Sequence, residues 1–88
     1  MGRIVATVKV FPEDVVISPD ELKGGIKAAV PEYASVHRID EEPIAFGLVA
    51  LIVQLVMPES GGKIDEVEEA IRGVKGVSEV ETLMVRRI

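Results

Sequence analysis

L-V-A-L-I-V-Q-L-V-M, Leu48 to Met57, is the strongest element in the chain and the one that decides its fold. Val49, Leu51, Val53, Leu55 and Met57 share one side of a two-residue period. Ala50, Ile52 and Val56 leave the other side mostly apolar, with Gln54 its polar member. A strand that is apolar on both faces belongs in the middle of a sheet, where neighbours cover both sides. The rest of the chain is read outward from this strand.

Upstream lies E-E-P-I-A-F-G-L, Glu41 to Leu48, which sets Phe46 between Pro43 and Gly47 at a stiff junction. Before it, Tyr33 to Glu42 reads as a weaker strand. Val36 and Ile39 are out of phase there, which predicts a bulge. S-P-D-E, Ser18 to Glu21, is a helix start: a serine cap, proline at the first helical position and glutamate three residues after the cap. That helix is expected to bury Leu22, Ile26, Ala29 and Val30 and to stop at Pro31. Gly24 and Gly25 each weaken it by about 1 kcal/mol relative to alanine. Arg3 to Phe11 alternates, with Ile4, Ala6, Val8 and Val10 on one face, and Pro12 ends it.

Downstream, Pro58 to Gly62 is a loop, and a second helix is predicted over Lys63 to Arg72. Its apolar positions are Ile64, Val67 and Ile71, followed by Val74. Asp65, Glu66, Glu68 and Glu69 sit near its start and Arg72 and Lys75 at its end, as the helix dipole favours. Gly73 and Gly76 close it. Val77 to Ile88 is the last strand, with Val80, Thr82 and Met84 expected inward and Glu79 and Glu81 outward. The order strand, helix, strand, strand, helix, strand predicts an α+β, ferredoxin-like β-α-β-β-α-β sandwich, with a four-stranded antiparallel sheet and two helices on one face. The other face stays open and is expected to carry Val5, Ile52, Val56, Leu83 and Val85. Two readings of that face stand: a surface partly covered by a partner or a second copy, and scattered single hydrophobes.

Composition narrows the function. A chain of 88 residues forms one domain that buries about 60–65% of its unfolded surface. Nearly half of it is hydrophobic, so it folds. Fifteen acids against ten bases give a net charge of −5, which argues against direct nucleic-acid binding and fits a basic protein partner. There is no cysteine, hence no disulfide and no thiolate metal site, in keeping with a cytoplasmic setting. No apolar run approaches the roughly 20 residues of a membrane span, and the amino end is too short and interrupted for a signal peptide.

Catalytic chemistry finds little to work with. His37 is the only histidine and stands beside Arg38 with no evident nucleophile. Glu41 and Glu42 are adjacent, so on a strand they face opposite ways and form no acid–base pair. The acids at the start of the second helix suit a solvated helix end better than a cation site. S-G-G-K, Ser60 to Lys63, lacks the spacing of a phosphate loop, and Ile64 follows where serine or threonine is needed. No catalytic residue, metal ligand or cofactor is expected. Phe11 and Tyr33 share no face with a second aromatic, so no base-stacking platform forms.

Three features remain: Phe46, the carboxyl end V-R-R-I (Val85 to Ile88), and the acidic balance. A phenylalanine beside a strand belongs to the core more often than not. Pro43 and Gly47 favour a shaped, protruding loop instead. Continued alternation through Ile88 places Arg86 and Arg87 on opposite faces.

At these residues the chain resembles the archaeal elongation factor 1-beta family, guanine nucleotide exchange factors for elongation factor 1-alpha. The resemblance rests on E-E-P-I-A-F-G-L leading into A-L-I-V (Ala50 to Val53), V-M-P-E-S-G-G (Val56 to Gly62), D-E-V-E-E-A-I (Asp65 to Ile71), G-V-S-E-V-E (Gly76 to Glu81) and a short basic end. It implies a ferredoxin-like fold and, over residues 1–88, a single guanine nucleotide exchange domain that restores the GTP form of a cytoplasmic GTPase during protein synthesis. It also implies that Phe46 enters a hydrophobic pocket on the GTPase's nucleotide domain, with Pro43, Ala45 and Gly47 shaping its turn. Arg87, beside Arg86, would reach toward the partner's magnesium and phosphates. Eukaryotic relatives carry lysine in place of Arg87 and glycine in place of Ala45. The rival expectation is a ferredoxin-like regulatory domain that binds a small ligand or dimerises. G-V-x-x-V (Gly76 to Val80) suits it, and the open sheet face leaves room for weak self-association.

Overall fold

β1 (Arg3–Pro12) alternates between buried and half-buried residues along its length, the signature of a strand with one face on a core. The computed structural model describes residues 2–88. After β1 come α1 (Pro19–Ala29), β2 (Ser35–Pro43), a short turn at Ala45–Gly47, β3 (Val49–Pro58), α2 (Lys63–Arg72) and β4 (Val77–Arg87). The strands form one antiparallel sheet in the order β2-β3-β1-β4. This is the expected ferredoxin-like α+β sandwich, and the doubly apolar strand β3 lies inside the sheet as its pattern requires.

The core lies between one sheet face and the two helices. Ala6, Val8 and Val10 of β1 and Leu51, Val53, Leu55 and Met57 of β3 meet Leu22 and Ile26 of α1 and Val67 and Ile71 of α2. Each of the larger fully buried side chains contributes roughly 1.5–3 kcal/mol on leaving water. Ala29, the last residue of α1, and Val30, which caps it, were expected inside and are half-buried; Val30 packs against the edge of the core. Ser18 holds the cap position of α1 with extended backbone, and Pro19 is the first helical residue. The serine side chain makes no capping hydrogen bond, so proline and the two acids of the first turn define that end. Gly25 serves packing: a Cβ there would lie 2.7 Å from Val74 Cγ1, in the turn that follows α2. Gly24 has open space around it.

Of three register slips among the described residues of the sheet, two set which of the predicted residues face out; the third skips Ser78, between the pairs Phe11 with Glu79 and Pro12 with Val77. In β2 the register slips between Val36 and Arg38, so Val36 and Ile39 both turn inward, opposite Leu55 and Val53. The phase break in the sequence is this bulge. In β4 the register slips again, because Val8 pairs with Thr82 while Thr7 pairs with Met84. One extra residue, Leu83, reverses the alternation beyond it. Met84, expected inward, therefore stands on the open face and is 54% exposed. Val85, expected on the open face, lies opposite Ala6 on the helix side instead. Leu83 is the unpaired residue of the bulge, so of the five residues expected on the open face, Val5, Ile52 and Val56 hold their places, half-buried.

Candidate functional site

The turn between β2 and β3 is built on positive backbone angles. Phe46 has φ 61° and ψ 31°, and Gly47 has φ 79°. The Leu48 N–H donates to the Ala45 carbonyl at 3.2 Å, and the Ile44 N–H donates to the Leu48 carbonyl at 2.8 Å. Positive φ at both central residues marks the mirror-image type I′ turn, whose twist matches that of the strands it joins. Glycine takes such a conformation freely, whereas phenylalanine is strained in it. The side chain of Phe46 is 93% exposed. The ring therefore points away from the core, at the tip of a turn fixed by the last ladder pair, Pro43 with Val49.

The carboxylates below the turn are tied down. Glu42 pairs with Lys9 at 2.7 Å and Glu41 with Lys23 at 2.8 Å. The two glutamates do face opposite sides of β2: Lys9 lies on the sheet and Lys23 on α1. The hydrogen bond from Lys23 to Glu41 is the largest cause that holds the Lys23 ammonium above its ordinary pKa; desolvation, next in size, opposes it, and the charges of Glu41, Asp20 and Asp40 add to the rise. The Lys9 ammonium also sits 5.3 Å from the centre of the Phe11 ring, so this end of the open face is already occupied.

The basic end lies elsewhere. Arg86 pairs with Val5 and Arg87 with Ile4, which in turn faces Met57. The two arginines face opposite sides, as the alternation required. Arg86 looks onto the open face, where Val5, Val56, Met84, His37 and Gln54 help to line a cleft of about 570 Å³. Arg87 turns to the other side and is held by the Glu59 carboxylate, to which its Nε–H donates. Glu59 is itself placed by its N–H, which donates to the Gly2 carbonyl at 2.9 Å. Its carboxylate lies across the bare Cα of Gly2, 2.9 Å from where a Cβ would stand. Nothing in the sequence marks Glu59: it sits in a polar loop, and only the folded register brings it beside Arg87.

Phe46 and Arg87 do not come together. Val49 and Met57 mark the two ends of β3, eight residues and roughly 26 Å apart. The molecule is 42 Å in its longest dimension, and the two groups sit toward opposite ends of it. Pro43, Ala45 and Gly47 stay with Phe46, while Arg86 stays with Arg87. Among the described residues, no group of three or more histidine, aspartate or glutamate side chains gathers in a way that could hold a metal ion. Among the same residues, no helix is long and apolar enough to cross a membrane.

Comparison with known proteins gives this geometry a context. Residues 5–88 match the family described as the EF-1 guanine nucleotide exchange domain. An elongation factor 1-beta of Methanothermobacter thermautotrophicus is 47% identical over 88 residues, covering 100% of this chain and 99% of that one. Those of Methanosarcina acetivorans and Natronomonas pharaonis are 45% and 40% identical, each with 100% of both chains covered. Among solved structures, the ACT domain from a GTP pyrophosphokinase of Chlorobium tepidum superposes with a TM-score of 0.64 at 17% identity, over 92% of this chain and 99% of that one. The C-terminal domain of the MgtC protein from Mycobacterium tuberculosis also gives 0.64, at 14% identity, over 99% of this chain and 89% of that one. At such identities these two likenesses concern the fold alone.

Proposed function

The chain belongs to the EF-1 guanine nucleotide exchange domain family, and on that premise we propose that it promotes exchange of GDP for GTP on elongation factor 1-alpha. It acts by binding the GTPase and makes or breaks no bond itself. The observation that carries this reading is Phe46, a large apolar ring held out in water on a strained turn. Burying such a ring in a partner's pocket returns the hydrophobic free energy that exposure forfeits, which is how an anchor residue works.

The separation of Phe46 from Arg87 favours a two-point grip. The ring supplies affinity at one point. Roughly 26 Å along the sheet, Arg87 brings a cation toward the nucleotide's phosphates and magnesium. Bound GDP is held largely by phosphate and metal contacts, so a competing cation there loosens it. In the free chain Glu59 occupies the guanidinium, and Arg87 exchanges that carboxylate for the partner's anionic site. Arginine presents a planar fork rather than a point charge, which suits phosphate oxygens. The chain need only bind the nucleotide-free GTPase best. Linkage then weakens nucleotide binding by the same factor.

The test is the release of fluorescent GDP from elongation factor 1-alpha on addition of this chain. Acceleration is expected, and its absence at saturating chain overturns the proposal. Phe46→Ala should weaken binding by about 2–4 kcal/mol. Arg87→Ala should lower the maximal release rate more than it raises the half-saturating concentration. Equal effects on both would remove the phosphate-site role. Glu59→Gln, which frees Arg87, should leave the maximal rate intact or raise it.

A further inference from the structure

The exposed large hydrophobic residues fall into two groups: Leu83, Met84, Val85 and Ile88 on and just after β4, and Val15, Val16 and Phe46 at the far end of the sheet. Val15 and Val16 belong to the connection between β1 and α1, remote in sequence from Phe46. The fold brings Val15 to the turn that holds Phe46, with Val16 next to it in the chain: a Cβ on Gly47 would lie 3.6 Å from Val15 Cγ1. The connection is well fastened. The Glu13 N–H donates to the Gly76 carbonyl at 2.8 Å, and the Ile17 N–H donates to the Asp14 carbonyl at 3.2 Å. The Val16 N–H reaches Asp14 Oδ1 at 3.4 Å. Ile17 packs against the core, and that leaves Val15 55% and Val16 81% exposed.

Resting on the exchange reading above, we propose that Val15 and Val16 form the second half of the anchor. Together with Phe46 they make one apolar tip that seats in an apolar pocket of elongation factor 1-alpha rimmed by lysine or arginine. Contact between Val15 and the Phe46 turn gives continuity. Charge gives the rim. Glu13 and Asp14 directly precede the valines, both exposed, and among the described residues no ion pair engages either one. Two copies of this tip would bring those carboxylates against each other on chains of net charge −5, so self-association through it is disfavoured and a basic surface is favoured. Two valines also extend the contact beyond a single ring. A cluster of neighbouring anchors excludes water better than one alone.

The experiment follows release of fluorescent GDP from elongation factor 1-alpha with Val15→Ser/Val16→Ser, Phe46→Ala and Glu13→Lys chains. The valine variant should raise the half-saturating concentration about tenfold, from the lost apolar burial, and leave the maximal rate unchanged. Glu13→Lys should slow association at low salt, with the difference fading as salt rises. Urea midpoints like that of the unaltered chain show that folding is intact, and Val16→Ser alone, at the more exposed position, serves if the double variant unfolds. If Phe46→Ala weakens binding and the valine variants do not, this proposal fails while the exchange reading stands. If neither moves the curve, the anchor reading fails and takes this one with it. A Glu13→Lys chain that associates faster overturns the basic rim. A homodimer in sedimentation that the valine variants dissolve assigns the tip to a second copy and overturns the proposal.

Discussion

Replacing Phe46 with glycine should make the free chain more stable while making it a poorer exchange factor. Phe46 holds φ 61° and ψ 31°, where an L-residue is strained by about 1–2 kcal/mol. Glycine escapes that penalty but loses about 0.5–1 kcal/mol more backbone entropy on folding. The ring is 93% exposed, so its removal gives up almost no packing. The net expectation is a gain of about 0.5–1 kcal/mol. For a domain of this size that is a rise in Tm of about 3–6 °C. Phe46→Ala keeps a Cβ in the strained position, so its stability should move by less than about 0.5 kcal/mol. Thermal and urea unfolding by far-ultraviolet circular dichroism measure both. The same preparations assayed for GDP release should show both variants impaired. A loss of more than about 1 kcal/mol in Phe46→Gly would refute the reasoning, because it would mean that the ring packs. Equal stabilisation by alanine would refute it too, because the strain would then not lie at Phe46.

Other expectations concern α1 and Tyr33. Gly24→Ala should stabilise by up to about 1 kcal/mol, since its Cβ meets nothing and alanine is the better helix former. Gly25→Ala should instead lose up to about 2 kcal/mol, because the Cβ would press on Val74 Cγ1 at 2.7 Å. Urea midpoints that rise for both would mean that α1 is not locked against that turn. Tyr33 donates its hydroxyl to Glu66, and that hydrogen bond, then desolvation and then the Glu66 charge, push its pKa up to about 12 from 10.0. A pKa raised on folding gives stability that is full below about pH 10 and is lost as pH rises through about 12. Tyr33 is the only tyrosine and there is no tryptophan, so phenolate absorbance reports it alone. Glu66→Gln should shift that titration down toward 10. An unaltered chain that already titrates near 10 would show that the hydrogen bond is absent in solution.

The elements of the fold were legible because each carries its own period. Apolar residues at every second position gave β1 and β3, and three- and four-residue spacing gave α2 as Lys63–Arg72, its observed span. The bulge in β2 was legible as well, since Val36 and Ile39 cannot share a face without one. The bulge at Leu83 in β4 was not. Val80, Thr82 and Met84 alternate without a break, and only pairing with β1 reveals that Leu83 is an extra residue. A bulge is a relation between two strands, so one strand's sequence need not record it.

The candidate site divides in the same way. The amino-acid sequence by itself determined the type and succession of the elements through their apolar periods, the acidic balance through its composition, and the turn at Phe46 through the glycine beside it. It also set Arg86 and Arg87 on opposite faces, since neighbours on a strand must diverge. Only the tertiary structure decided that the Phe46 ring points into water, that Glu59 holds Arg87, and that Val15 stands against the Phe46 turn. It also put Phe46 and Arg87 at opposite ends of a 42 Å molecule. The physical reason is range. Periodicity and turn chemistry act between residues a few positions apart, whereas these contacts join residues about thirty apart. Such neighbours exist only once strand pairing has fixed the register.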